Sequence, residues 1–439
     1  MPARHTIGLR REDKNLWERR VPIIPEHVAG LVKEQGLEVL VQPSEVRVIK
    51  AAEYLRAGAA ITEDLSTCST VFAVKEIPIK FLSKGKTYIF FSHTIKGQPH
   101  NMPMLRRLMQ LGCQLIDYEK MTDEKGRRLV FFGKYAGLAG MIDSLWALGR
   151  RLKLEGLSTP LAAVKRANEY PDLAAARTAL ADVGGEIAAG ALPAALTPLV
   201  IGLTGYGHVS QGAQEILDGF PVEEVKPGRL AALFTEPAPC NKIYKVIFRE
   251  EDLVEPLVPG QAFELQDYYK NPEKYRSKFA QYLPYLTALI NGIYWEARYP
   301  RLVTKAWLKK AYAENAGRRL RVIGDITCDI EGSIECNVRS TDIGNPVYVY
   351  DPLKDTTADG CAGQGPVVLA VDNLPAELPL DSSRAFSTSL LPFIAKIAKS
   401  DMTGNLEDCC LCEPIKKAMI LYQGRLTPAF RYLEKFIKE

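Results

Sequence analysis

Thr197-Pro198-Leu199-Val200-Ile201-Gly202-Leu203-Thr204 runs directly into Gly205-Tyr206-Gly207-His208-Val209-Ser210-Gln211-Gly212-Ala213. The succession reads as a buried strand, a glycine turn and a helix that continues to Leu217. Gly205 permits the tight turn, and Gly207 lets backbone approach a pyrophosphate at the helix N-terminus. Ser210 takes the third position of that fingerprint, with Gly212 two residues on. Gly205, Gly207, His208, Val209 and Ser210 are therefore the expected cofactor cradle, against the plainer reading of a simple turn. The next strand is expected at Val222-Glu223-Glu224-Val225, ending in Lys226 with Arg229 close behind. A basic residue there favours the extra phosphate of NADP(H), and Glu224 keeps NAD(H) open. The alternative is that both cations only solubilise a loop.

Upstream, Thr70-Val71-Phe72-Ala73-Val74 and Thr87-Tyr88-Ile89-Phe90-Phe91 read as parallel strands with charged residues at their C-terminal ends. Lys75-Glu76 follows the first and Ser92-His93-Thr94-Ile95-Lys96 the second. That end of an open α/β sheet is where ligands sit, and such charges are costly to bury without a task. Only five histidines occur in the chain, so one placed here carries weight. A solvated strand end would account for Lys75, and a strand-end hydrogen bond for His93. The first 135 residues repeat this rhythm through His5–Leu9, a helix over 25–35 and a strand over Leu37–Val41. A helix over Ala136–Leu154, with Gly137 and Gly140 for close packing, is long enough to bridge two domains at about 1.5 Å per residue. An Ala-rich helix is expected over Pro171–Ala189.

Later strands are expected at Tyr285–Ile290 before Asn291, at Arg321–Ile326, and at Val367–Val371 before Asp372-Asn373-Leu374-Pro375. The acidic stretch Asp325–Glu335 admits a metal site, a catalytic acid or a solvated loop, and its spacing fits metal least. Ser383–Lys399 and Glu413–Lys438 read as helices. The fold class is thus α/β, with two Rossmann-like domains built on parallel sheets.

Composition sets the outer bounds. A chain of 439 residues, 47% hydrophobic, has material for two cores. A net charge of +4 argues against a dedicated nucleic-acid surface and allows a locally basic pocket for anionic substrates. No run approaches the roughly 20 apolar residues of a membrane span, and Met1–Lys14 lacks the apolar centre of a signal peptide. Among nine cysteines only Cys409, Cys410 and Cys412 cluster, and they read as incidental thiols in a reducing compartment, cytoplasmic or an organelle interior.

The order of these parts, together with Arg10–Asp13, Trp17–Arg20, Phe90–Lys96, Leu115–Met121 and Leu289–Glu296, resembles the alanine dehydrogenase/saccharopine dehydrogenase superfamily. Within it the chain is most similar to the lysine–2-oxoglutarate reductase branch. The resemblance implies a discontinuous substrate domain, residues 1–140 with 379–439, around a dinucleotide-binding domain over 141–378. It also implies a free-standing reductase or an excised part of a bifunctional protein. The implied reaction condenses lysine with 2-oxoglutarate and reduces the imine with NADPH to saccharopine.

The same resemblance assigns roles. Lys75 would be the base that deprotonates the amine, and His93 the acid for the departing hydroxyl. Asp329 would orient His93 or the cofactor ribose. Arg20, with a surface salt bridge to Glu18 as the alternative, and Arg128 would clamp carboxylates, and Lys96 would hold another or tune His93. Glu76 and Glu119 would receive lysine's α-ammonium, or else form only structural ion pairs. Asn291, Asp372 and Asn373 would line the nicotinamide side. Only small-molecule partners, possible homo-oligomerisation and no metal are expected. The rivals are an NAD-linked lysine-forming or alanine dehydrogenase-like enzyme and, from another class, a catalytically silent nucleotide-binding sensor.

Overall fold

Short apolar runs bounded by glycine or polar residues become the strands of two eight-stranded sheets and a separate two-stranded one. Thr6–Leu9 (β1), Glu38–Val41 (β2), Ala60–Ile61 (β3), Thr70–Phe72 (β4), Thr87–Phe90 (β5) and Gln114–Asp117 (β6) come first. Leu199–Thr204 (β7), Val222–Glu224 (β8), Ile243–Phe248 (β9), Val254–Pro256 (β10), Tyr275–Ser277 (β11) and Ala288–Asn291 (β12) follow. Val322–Asp325 (β13), Val347–Asp351 (β14), Thr356–Asp359 (β15), Val367–Leu369 (β16), Met419–Tyr422 (β17) and Arg425–Leu426 (β18) complete the set. The computed structural model describes residues 5–235, 237–314 and 319–437, so the end of the expected final helix, Lys438, lies outside the described residues. The chain divides into two compact units, 1–132 with 379–439, and 133–378.

The first unit carries a sheet in the order β18-β17-β6-β5-β4-β1-β2-β3. From β3 to β6 the pairings are parallel, and β17 joins β6 antiparallel. Its discontinuity is held by specific bonds. Ser383 Oγ and Ser387 Oγ, on the helix Pro379–Lys399, accept from the backbone N–H of Val21 and Ile24 at 2.9 and 3.0 Å. The order reverses between β1 and β4, the point where open α/β sheets bind ligands. The stretch from Glu413 regains helix over Glu434–Ile437, but its first helix stops at Ala418. It then forms the β17–β18 hairpin, because Gln423 and Gly424, at φ 47° and 74°, supply the left-handed pair of a tight turn.

The second unit has the order β15-β14-β16-β13-β12-β7-β9-β8. Strands β8 to β16 through β7 are parallel, while β14 and β15 add an antiparallel edge. Here the reversal lies between β7 and β12. The helix Gly133–Leu154 belongs wholly to this unit. The expected bridge and the boundary at 140 are therefore corrected. A Cβ on Gly137 would strike the carbonyl of Val209, and one on Gly140 the side chain of Ile326, so the glycines seat the helix against the helix His208–Leu217 and the chain just after β13. Among the described residues no helix is long and apolar enough to cross a membrane.

Candidate functional site

In the first unit, charged side chains gather at the C-terminal ends of β1, β4 and β5. β4 is buried throughout, and its ladder runs on through Ala73 N to Ile89 O at 3.0 Å. That delivers Lys75 to the point where the sheet order reverses. Glu12, beyond the end of β1, reaches across this point. Its carboxylate accepts from the backbone N–H of Val74 at 2.6 Å and of Lys75 at 3.0 Å. Burial, with Glu18 nearby, raises the Glu12 carboxyl to about 7 against the pull of those two bonds and Arg10.

The Lys75 ammonium has no hydrogen-bond or ion-pair partner among the described residues. Burial lowers its pKa first and the neighbouring charge of Arg20 adds to this, opposed by Glu18 and Glu76. Such an amine is poised to lose its proton. His93 takes the left-handed conformation at φ 49°, uncommon for a residue other than glycine. Its surroundings hold it there. Asn101 Nδ2 donates to the His93 carbonyl at 3.0 Å, and Asp117 accepts from Ser92 N and Oγ at 3.0 and 2.5 Å. The ring then presents Nδ1 to Glu76 Oε1 at 2.5 Å.

Glu76 also meets Lys14 Nζ at 3.2 Å. Burial alone would raise its carboxyl, but the hydrogen bond and charge of His93, helped by Lys14, hold it at about 2. Glu76 is thus the partner that orients His93, and the structural pairing is the one realised. The same holds for Glu119 and Arg128, which pair with each other at 2.5 Å. Lys96 is exposed.

Arg20 departs furthest from expectation. Its Nε and Nη2 donate to the Glu18 carboxylate at 2.7 and 2.6 Å, and its guanidinium lies 4.2 Å from the Phe132 ring centre. Both partners are sealed, with side chains 1% and 0% exposed. An arginine so enclosed is no open clamp for a carboxylate, and its charge acts on Lys75 through space.

The strand ends of the second unit are closed by a neutral network around one acid. Asp325, at the end of β13, accepts from Asn291 Nδ2, Thr327 Oγ1 and Asn337 Nδ2 at 2.8, 2.7 and 2.7 Å. Asn291 also accepts from Thr204 Oγ1 at 2.7 Å and donates to Ser333 Oγ at 2.8 Å. Asn291 is 0% exposed with its amide fully engaged, so it pins β7, β12 and β13 together and does not line a ligand surface. Asp329 and Asp372 are exposed and Asn373 is half-buried. The two aspartates converge electrostatically on Cys328, whose thiol burial pushes up to about 12.

The glycine turn forms as expected. Gly205 has φ 81°, and a Cβ on Gly207 would meet nothing, leaving its backbone open to a ligand. Ser210 is buried, His208 is exposed and Val209 half-buried at the start of the helix His208–Leu217. Gly212 takes over the packing role of the third glycine, since a Cβ there would strike the carbonyl of Lys134.

Lys226 and Arg229 require a correction. They follow β8, the edge strand, and β9 separates β8 from β7. β9 pairs with β7 from Leu199↔Ile243 to Thr204↔Phe248, so Arg249 and Glu250 come alongside the turn instead. Glu224 is occupied by Lys245 at 3.1 Å. Sequence alone conceals this, because some twenty residues separate the expected strand from the one that inserts beside β7. Next to the turn lies a cavity of about 330 Å³, lined by Tyr206, Glu250, Tyr268, Tyr269, Trp295 and Tyr299 among others.

Residues 8–139 match the alanine dehydrogenase/PNT N-terminal domain, and residues 276–429 the alanine dehydrogenase/PNT C-terminal domain. The chain is 38% identical to the mitochondrial alpha-aminoadipic semialdehyde synthase of Rattus norvegicus over 443 residues, covering 98% of this chain and 47% of that protein. It is 36% identical to the alpha-aminoadipic semialdehyde synthase of Arabidopsis thaliana, covering 98% of this chain and 41% of that one. The chain thus spans about half the length of these relatives. A saccharopine dehydrogenase (NAD(+), L-lysine-forming) of Neurospora crassa is 27% identical, covering 88% and 89%. Among solved structures an L-alanine dehydrogenase superposes with a TM-score of 0.63 at 18% identity, covering 98% and 99% of the two chains, which shows a shared fold. With the two domain families matched in order along it, the chain belongs to the alanine dehydrogenase/PNT family.

Proposed function

We propose that the chain is a lysine–2-oxoglutarate reductase that joins lysine's ε-amine to the ketone of 2-oxoglutarate and reduces the resulting imine to saccharopine. The observation that carries this reading is the unpartnered, half-buried Lys75 with its lowered pKa, beside His93 held on Glu76. Amine and ketone condensation needs one group to take a proton from the amine and one to protonate the departing hydroxyl. Neutral Lys75 takes the proton. His93 gives its Nε2 proton to the hydroxyl, which leaves as water, while Nδ1–H stays on the Glu76 carboxylate, so the ring acts as acid from its doubly protonated form. Arg20, locked on Glu18, lowers Lys75 without itself binding substrate. Substrate carboxylates fall to Lys96 and to Arg128, which is half-exposed and exchanges Glu119 for the ligand.

The nicotinamide nucleotide supplies the hydride when bound. The chain fits such a group: Gly207 leaves backbone open, and the aromatic-lined cavity beside the turn has room for a flat ring. We assign NADP(H) on Arg249 in place of Lys226. Asp329, Asp372 and Asn373 are kept as the polar groups nearest the end of β13 and β16. Nine free thiols suit a reducing compartment, cytoplasmic or within an organelle.

The test is initial-rate oxidation of NADPH, and in parallel NADH, with lysine plus 2-oxoglutarate. Controls omit each substrate or replace the pair with pyruvate and ammonia. Turnover that requires both lysine and 2-oxoglutarate is expected. Turnover with pyruvate and ammonia alone would assign an alanine dehydrogenase-like activity. Nucleotide binding without turnover in any mixture would leave a sensor.

A further inference from the structure

The parallel pairing of β9 with β7 ends at Thr204↔Phe248, and Gly205 N donates to Phe248 O at 3.0 Å. The next residue, Arg249, is thereby carried beside the glycine turn. Its guanidinium carbon lies 4.7 Å from the centre of the Tyr206 ring, between the two glycines of that turn. Arg249 is exposed, and among the described residues no carboxylate pairs with it. Its neighbour Glu250 is in the opposite condition. Glu250 Oε1 accepts from Tyr269 Oη at 2.6 Å and from Tyr206 Oη at 3.5 Å, which ties the acid into the cavity wall. The Arg249 guanidinium thus stands beside the turn without a carboxylate on it, while Glu250 is held by hydroxyls and Asp252, after Glu251 in the short helix Glu250–Leu253, accepts from the Arg249 backbone N–H at 3.0 Å.

We propose that Arg249, spread on Tyr206, is the residue that distinguishes the phosphorylated from the unphosphorylated dinucleotide by receiving the 2′-phosphate of the adenosine ribose. A planar guanidinium presents paired N–H donors to a phosphate, and stacking on an aromatic face pre-orders it for that contact. Glu250 would repel the same phosphate if it swung free. The bonds from Tyr269 and Tyr206 keep its charge engaged. Lys226 and Arg229, one strand further out, take no part. This inference rests on the nicotinamide-nucleotide reading of the glycine turn, but not on which substrates are reduced.

The experiment measures binding without turnover, by calorimetric titration of the full chain with adenosine 2′,5′-bisphosphate and with adenosine 5′-monophosphate. The native protein is expected to bind the bisphosphate at least about tenfold more tightly. Arg249→Ser should remove about 10- to 100-fold of bisphosphate affinity, the worth of a charge-assisted contact, and leave the monophosphate unchanged. Arg249→Lys should retain part of the preference, and Lys226→Glu all of it. An unchanged preference in Arg249→Ser, or its collapse in Lys226→Glu, would overturn the assignment. So would a native protein that favours the monophosphate, which would hand the selection to Glu250. Failure of both ligands to bind would overturn the nucleotide site itself. Discrimination by Arg249 without lysine-dependent turnover would leave this inference standing and remove only the reductase.

Discussion

The two sheets share a plan and differ in how their strand ends are finished. In the first unit the point of reversal carries opposed charges, Lys75, His93, Glu76, Arg20 and Glu18, several of them half open. In the second, Thr204, Asn291, Ser333 and Asn337 surround the single acid Asp325 and close the end completely. A strand end left charged is strained electrostatically, and each charge shifts its neighbour's proton affinity. A strand end closed by amides and hydroxyls mainly sets geometry, and its acid, Asp325, is raised by burial against the bonds from Asn291, Asn337 and Thr327. Under the proposed function, proton transfer falls to the first unit, and nucleotide contact falls in the second to backbone at the glycine turn, the aromatic cavity and Arg249.

Removing the charged pair is the strongest way to break that contrast. Lys75→Met and His93→Gln are each expected to lower turnover by roughly 10²–10⁴-fold with modest changes in substrate binding. Steady-state kinetics with lysine and 2-oxoglutarate provides the check. Unchanged turnover in both would make the first strand end as purely structural as the second.

Arg20→Ala acts one step back from the chemistry. It leaves Glu18 buried without its partner, which is expected to cost roughly 3–5 kcal/mol of stability. Arg20 lowers the Lys75 pKa, whereas Glu18 raises it. Its removal should therefore move the acid limb of the rate profile to higher pH, because the base must be neutral to act. Arg20→Lys should restore most of the profile. A raised Michaelis constant for 2-oxoglutarate with an unmoved pH profile would return Arg20 to the clamping role its sequence context suggests.

Much of this was legible because strand and turn patterns are local. Thr70–Phe72, Thr87–Phe90, Leu199–Thr204 and the helix from His208 follow from apolar runs and glycines within a dozen residues. What escaped depended on which strands become neighbours. Glu12 lies in the charged stretch Arg10–Asp13, yet its bonds to Val74 and Lys75 need β1 beside β4. Arg249 and Glu250 acquire meaning only because β9, not β8, pairs with β7. Asn291 was correctly placed at a strand end, but only the adjacency of β7 and β13 reveals that its amide is spent on Thr204 and Asp325. From sequence Arg20 reads as a carboxylate clamp, with a surface salt bridge to Glu18 as the alternative, because nothing local marks the pair as buried.

Carboxyls sharpen the comparison further, because Glu76 in the first unit and the Asp143–Glu377 pair in the second are shifted in opposite directions. Glu76 is held at about 2 by His93 and Lys14 against its burial. It contributes stability above its unfolded pKa near 4.5, and this is lost as pH falls toward 2. In the second unit Asp143, on the helix Gly133–Leu154, is in contact with Glu377, and both are buried. Asp143 Oδ1 accepts from Ala167 N at 2.7 Å, but Oδ2 and both Glu377 oxygens have no hydrogen-bond donor in place. A proton shared between the two carboxyls reconciles the contact. Burial raises Asp143 to about 6, and burial with Asp143 beside it raises Glu377 well above the usual range, while Arg166 opposes both. The folded chain therefore holds protons that the unfolded chain releases above about pH 4, so this pair's contribution falls as pH rises through 6. Glu377→Gln supplies an amide donor to Asp143 and removes one ionisation. Its thermal midpoint should exceed the native one by about 2–4 °C at pH 8, with little difference at pH 5. A native-like gap between the two pH values in the variant would mean that the carboxyls do not share a proton.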